Sequence, residues 1–216
     1  MQEMEQSLEL QRRQFEEQNQ RLEQLSQIRH DLHHHVVALQ GLIHSGDLRA
    51  MEEYLNGFSS LRLDAPVRMC ANVAVDALAQ QYLGAARADG IAVDAVLEVG
   101  ETVGIQTPDL CVVFGNCLEN AGEAARQTEA GEAGFIRIRT KDAPGWLSIV
   151  MENSCPPGSL LAAESGYFSG KESGRIGVGL VSVRSIAEKY GGTATYEMAG
   201  GRFRTAVILF KKDETT

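Results

Sequence analysis

The chain has 216 residues, 44% of them hydrophobic, and 29 acidic against 20 basic side chains give a net charge of −9. That length allows one ordinary domain with an appendage or two small domains, and the composition is globular rather than low-complexity or disordered. The acidic balance argues against a nucleic-acid or anionic-membrane surface, because phosphate backbones demand a cationic face, and no apolar run approaches the roughly 20 residues that cross a bilayer.

From Met1 to about Ile43 there is no proline and no glycine before Gly41, while Gln, Glu, Leu and Arg dominate. Leu8, Phe15, Leu22, Val36 and Ile43 recur on one heptad position, and Met4, Leu25, Leu32 and Leu39 on the other. The spacing predicts one long helix whose stripe packs on another helix. Gln11 and Gln18 dilute its early seam, so the helix is expected to dimerise rather than stand alone. Ser45-Gly46-Asp47 supplies a turn, with Ser45 or Asp47 to cap a second helix from about Leu48 to Leu61. Two such hairpins pair into a four-helix bundle, a homodimer through the N-terminal helices. Asp64-Ala65-Pro66 marks a boundary, since a residue before proline is pushed out of helical geometry. The expected division is a dimerisation hairpin over 1–64 and a second domain over 65–216.

Beyond the boundary, helices and strands alternate. Asn72 to about Asp89 reads as a helix capped by Asn72, and Ile91 to Val99 as a strand. Pro108 opens a helix to about Gln127. Strand patterns follow at Phe135 to Thr140 and Trp146 to Met151, then a Gly-, Ser- and Pro-rich loop over Asn153 to Arg175. A glycine turn, Gly174 to Leu180, feeds a helix-like run from Val181 to Tyr190, and Gly200-Gly201 joins closing strands at Thr193 to Met198 and Arg202 to Phe210. The fold class predicted is α+β, with helices on one face of a mixed sheet. A loop of about 20 residues in a compact domain is usually a lid or a binding loop.

The first residues, rich in Gln and Glu, do not read as a signal peptide, and the chain as given is expected to be soluble. Cys70, Cys111, Cys117 and Cys155 have neither metal-ligand spacing nor a secreted framework, and are expected to be buried, reduced thiols of a cytosolic protein.

Three places carry candidate chemistry. Asn116 and Asn120 lie one helical turn apart, so both amides leave one face of a helix, within an otherwise apolar run. An amide oxygen is a hard ligand suited to Mg²⁺, which binds through one or two protein groups plus phosphate oxygens. The glycines before Leu180 let backbone N–H groups approach a phosphate at a helix start. Arg29-His30-Asp31-Leu32-His33-His34-His35 holds four of the five histidines. On the heptad register Leu32 and Val36 face the bundle core, while His30 and His34 share an outward face. His30 with His34 could also make a transition-metal site, though it lacks a glutamate next to the first histidine and an obvious third ligand, or simply a solvated polar face.

The string Asn-Cys-Leu-Glu-Asn-Ala-Gly-Glu-Ala from Asn116 resembles the N box of the GHKL (Bergerat-fold) ATPases, and Gly177-Val178-Gly179-Leu180 resembles their second glycine box. Order and separation agree over Asn72 to Phe210. The resemblance implies ATP and Mg²⁺ as ligands, with Asn120 on the metal and Asn116, Gly177, Gly179 and Leu180 at the phosphates. It also makes the loop before Gly177 an ATP lid, with Lys171 available to a phosphate. Where the family offers Asp-x-Gly for adenine, this chain has Glu152-Asn153-Ser154; an asparagine oxygen accepts the same bond. Asn153 there, and Arg29 before His30, are similar to the agr-type peptide-sensing kinases. Exposed His30 followed by a carboxylate resembles the phosphoacceptor motif of sensor histidine kinases, with Asp31 holding the other ring nitrogen. Related kinases carry Asn or Thr where His34 stands, a residue thought to orient a hydrolytic water. The resemblance implies autophosphorylation of His30, transfer to an aspartate of a response regulator, and a cytoplasmic location with membrane attachment only through a sensor region absent from this chain. The alternative is a dimeric nucleotide-binding scaffold or phosphotransferase of the same superfamily without kinase activity.

Overall fold

The computed structural model describes residues 27–57, 68–128, 134–156, 160–163, 166–169 and 178–211. The chain divides into two compact units, Met1–Leu63 and Asp64–Thr216.

In the first unit, helix α1 is described over 27–45 and α2 runs Leu48–Asn56. Of the two expected caps, Asp47 is the one used: its Oδ1 accepts from the Ala50 amide at 2.9 Å, while the Ser45 hydroxyl turns back to the Leu42 carbonyl at 2.8 Å. His35 Nδ1 lies 2.9 Å from the Tyr54 hydroxyl, which brings the two helices side by side. The apolar stripe of α1 stays in solvent: Ile28, Leu32, Val36, Val37 and Ile43 are exposed, Leu32 at 61%. The heptad positions from Met4 to Leu25 lie outside the described residues.

The second unit runs α3 (Val73–Ala88), β1 (Ala92–Leu97), α4 (Thr107–Arg126), β2 (Phe135–Ala143), β3 (Trp146–Ser154), β4 (Leu160–Ala163), β5 (Gly166–Ser169), α5 (Val178–Lys189), β6 (Thr193–Ala199) and β7 (Arg202–Phe210). Its main sheet has the order β1-β2-β3-β7-β6. The β1–β2 pair is parallel, as a strand–helix–strand crossover through α4 requires, and the other pairs are antiparallel. This is the mixed sheet of an α+β fold.

Period-two patterning decides which face the helices cover. Ile136 and Ile138 of β2, Leu147, Ile149 and Met151 of β3, and Val207 and Leu209 of β7 join Val75 and Leu83 of α3, Val113, Phe114 and Leu118 of α4, and Val183 of α5 in one core. Alternate positions carry charges on the opposite face, where Arg137 pairs with Asp94 and Glu152, and Arg139 with Asp94. Asn72 caps α3 as its sequence predicts, accepting from the Val75 amide at 3.1 Å.

Three expectations change. β3 continues through Asn153 to Ser154, so Asn153 belongs to a strand and not to the loop. The segment expected to be structureless contains the β4–β5 antiparallel pair. Cys111 is half-exposed, whereas Cys70, Cys117 and Cys155 are buried; all four are free thiols.

Candidate functional site

Helix α4 carries the two asparagines because Pro108 near its start fits the one turn that needs no N–H partner, and Leu110, Val113, Phe114, Cys117, Leu118 and Ala121 bury one stripe. Asn116 and Asn120 lie at the margin of that stripe, both half-buried. Asn116 Nδ2 donates to the Val112 carbonyl at 2.7 Å, which fixes the amide and leaves its oxygen as an acceptor. The Asn120 side chain makes no hydrogen bond among the described residues. An amide oxygen is the kind of hard ligand that Mg²⁺ takes.

The start of α5 comes directly against Asn116. A Cβ placed on Gly179 would stand 2.5 Å from Asn116 Oδ1, so glycine allows this approach without the Asn116 amide having to turn. Leu180, the next residue, is buried, and its carbonyl accepts from the Tyr196 hydroxyl at 2.8 Å. Tyr196 stacks on Phe203 with ring centroids 6.2 Å apart, and the Arg184 guanidinium sits over its ring. Burial pushes the Tyr196 phenol well above the ordinary tyrosine range, so its hydroxyl remains a donor.

The sheet register connects this seat to Asn153. Met151, Thr205 and Tyr196 form one cross-strand row, and Asn153, Phe203 and Met198 form the next on the same face. Asn153 is 2% exposed, and its Nδ2 donates to the Ser154 carbonyl at 2.9 Å. Its Oδ1 is left as the acceptor. Ser154 Oγ accepts from the Phe135 amide at 3.0 Å and from the Thr128 hydroxyl at 2.9 Å, which ties this end of β3 to β2 and to the end of α4. The Cys155 amide donates to the Gly201 carbonyl at 2.9 Å.

Gly179 thus lies against Asn116, Leu180 is tied to Tyr196, and Asn153 stands one sheet row from Tyr196, with Asn120 one turn along the helix face that carries Asn116. Lys171 and Gly177 lie outside the described residues. Tyr196 and Thr205 were not singled out from sequence. Thr205 carried a readable signal, a polar residue at an inward position between Phe203 and Val207. Tyr196 carried none, since an aromatic in an alternating strand reads as core.

In the first unit, His30 and Asp31 are both exposed, with His30 Nδ1 3.6 Å from Asp31 Oδ1. Gln27 Nε2 donates to the same Oδ1 at 2.9 Å. His34 Nε2 lies 3.2 Å from His30 Nε2, with the rings edge to face at 4.4 Å. The geometry distinguishes the two nitrogens of His30: Nδ1 faces a carboxylate and Nε2 faces solvent and His34.

Residues 105–210 match the family model described as the GHKL domain. No curated protein matches the chain. Among solved structures, the nucleotide-free catalytic domain of histidine kinase ThkA aligns at 22% identity and a TM-score of 0.49, over 64% of this chain and 90% of that one. The histidine kinase domain of the blue-light activated kinase EL346 from Erythrobacter litoralis aligns at 14% identity and a TM-score of 0.45, over 73% and 69%. Full-length ShkA, in complex with AMPPNP, aligns at 16% and 0.45, over 71% and 33%.

Proposed function

With residues 105–210 matched to the GHKL domain, we propose that this chain is the catalytic portion of a sensor histidine kinase, most like the agr-type peptide-sensing subfamily. On this reading residues 65–216 bind ATP with Mg²⁺, and His30 on the 1–64 hairpin accepts the γ-phosphoryl group and passes it to an aspartate of a response regulator. The observation that supports it best is the approach of Gly179 to Asn116 at the start of α5. A helix start offers unpaired N–H groups, and the missing side chain leaves phosphate oxygens room beside the Asn116 amide.

Asn120, its side chain without a hydrogen bond among the described residues, fits a Mg²⁺ ion, which when bound would offset charge on the phosphate oxygens. Asn153 Oδ1 would accept from the adenine amino group, and Lys171 and Gly177 would meet the phosphates. Asp31, 3.6 Å from His30 Nδ1, favours on this reading the tautomer with its proton there, which puts the lone pair on Nε2. The N–P bond forms at Nε2 as the bond between the γ-phosphorus and the bridging oxygen breaks, and ADP leaves with that electron pair. The exposed stripe of Leu32, Val36 and Ile43 supports a homodimer through the N-terminal helices. The cytoplasm, beside a membrane sensor on another stretch of chain, is the compartment this activity implies.

Incubation with γ-labelled ATP and Mg²⁺ tests the proposal. Acid-labile, alkali-stable label that disappears in His30→Ala is the expected result. Nucleotide binding with no transfer in the intact dimer would favour a nucleotide-binding scaffold, and full labelling of Asn120→Ala would remove the Mg²⁺ assignment.

A further inference from the structure

The five histidines are not equivalent. His35 is engaged with Tyr54, and His44 Nδ1 donates to the Gln40 carbonyl at 2.8 Å. His30 and His34 instead point their Nε2 atoms at each other, 3.2 Å apart, from successive turns of one helix and in solvent. Two imidazoles bound to one ion at a metal–nitrogen distance of about 2.05 Å are separated by about 3.3 Å in tetrahedral geometry and about 2.9 Å at a right angle. The observed separation lies between these values.

We propose that His30 and His34 form a chelating site for a transition-metal ion such as Zn²⁺, and that an ion held there blocks the acceptor nitrogen of His30. As it stands the contact is a hydrogen bond in which one Nε2 carries the proton, so binding needs that ring to shift its proton to Nδ1, followed by small rotations about soft side-chain torsions that turn both lone pairs toward the ion. For His30 that tautomer faces Asp31 at 3.6 Å, and Gln27 holds the carboxylate in turn. A carboxylate behind a ligating histidine is the arrangement that orients such ligands and raises their basicity. Among the described residues no group of three or more His, Cys, Asp or Glu side chains stands ready to hold an ion, so water completes the coordination. Imidazole nitrogen also selects the ion: Mg²⁺ prefers oxygen, so the magnesium that accompanies a nucleotide does not compete. The contact between Nε2 atoms explains how the block works, because the lone pair that binds metal is the one that would attack phosphorus.

The binding half of this proposal stands without the kinase reading; the block rests on it. The test uses the full chain without nucleotide, titrated with Zn²⁺ against a chromophoric chelator, with helix content followed by circular dichroism. One ion per chain is expected, with affinity lowered at least about tenfold in His30→Ala and in His34→Ala, lowered about tenfold in Asp31→Asn, and unchanged within about twofold in His33→Ala and His44→Ala. Zn²⁺ binding undiminished in a helical His34→Ala places the ion elsewhere, on the free thiols for example, and overturns the proposal. A second arm measures label transfer from γ-labelled ATP under excess Mg²⁺. Zn²⁺ should inhibit the parent, and about tenfold more should be needed in His34→Ala relative to that variant's own metal-free rate. Equal sensitivity of the two overturns the block. A parent that never takes label removes the phosphoacceptor reading instead, and the binding titration alone then decides the site.

Discussion

Gly179→Ala separates the function of the α5 start from its stability. The added Cβ would stand 2.5 Å from Asn116 Oδ1, 3.2 Å from its Cγ and 3.5 Å from its Cβ. The closest of these atoms is the end of a side chain, so the amide can turn away. Turning it breaks the 2.7 Å bond from Nδ2 to the Val112 carbonyl, a loss of about 1 kcal/mol. Alanine in place of a helical glycine returns up to about 1 kcal/mol. The two nearly cancel, and the thermal midpoint should move by no more than about 4 °C. Nucleotide affinity should not be spared. Displacing one polar group from a phosphate, with a contact worth about 1.5–3 kcal/mol, weakens binding roughly tenfold to a hundredfold. Titration with a fluorescent ATP analogue and Mg²⁺, beside thermal unfolding of the same samples, reads both effects. In an Asn116→Ala background the clash is gone, and the glycine substitution should then change affinity by less than about threefold. A Gly179→Ala chain that binds nucleotide like the parent, or one that loses as much affinity without Asn116, would refute the reasoning.

Four further outcomes follow from the packing. Tyr196→Phe removes the hydroxyl that donates to the Leu180 carbonyl, and unfolding in urea should show a loss of about 0.5–1.5 kcal/mol with faster amide exchange in the first turn of α5. Gly192→Ala meets backbone instead of side chain, with a Cβ 1.8 Å from the Ile208 carbonyl oxygen; because the β6–β7 pairing must open, a loss of about 3 kcal/mol or more is expected, and a folded variant of parental stability would contradict it. Burial pushes the Cys117 thiol from its ordinary value of 9.0 up to about 12. The folded chain keeps this proton where the unfolded chain releases it, so the stabilisation is complete below pH 9 and lost as pH rises toward 12; a Cys117→Ala variant should show a shallower alkaline decline in urea midpoint. Leu32→Asp with Val36→Asp should weaken self-association by more than about tenfold in sedimentation equilibrium, because each buried aliphatic side chain contributes about 1.5–3 kcal/mol.

Local signals carried most of the element boundaries. Ile136, Ile138 and Thr140 alternate with Arg137 and Arg139, and the strand they predict is present with that face inward. Gly200 and Gly201 take positive φ values of 56° and 72°, the conformation a two-residue hairpin needs. The β4–β5 pair escaped notice because its segment is rich in strand-breaking residues, and the pairing of two four-residue strands is decided by their mutual contact. Asn116, Asn120 and Asn153 stood out as polar residues set in apolar surroundings. What spacing could not supply was distance: that Gly179 comes directly against Asn116, or that His34 reaches His30 Nε2 while His35 turns to Tyr54. Sheet order, with β1 parallel to β2, likewise depends on contacts far apart in the chain.

The chain between Cys155 and Leu180 is clamped at both ends by the same hairpin: the Cys155 amide by the Gly201 carbonyl in the turn, and the Leu180 carbonyl by the Tyr196 hydroxyl on β6. With its ends fixed independently of its contents, the insert is free to change in length and composition during evolution. Doubling the chain between two such anchors costs only about 0.6 kcal/mol of closure entropy. Selection can therefore alter the segment without disturbing the seat of Gly179 or the sheet that carries Tyr196.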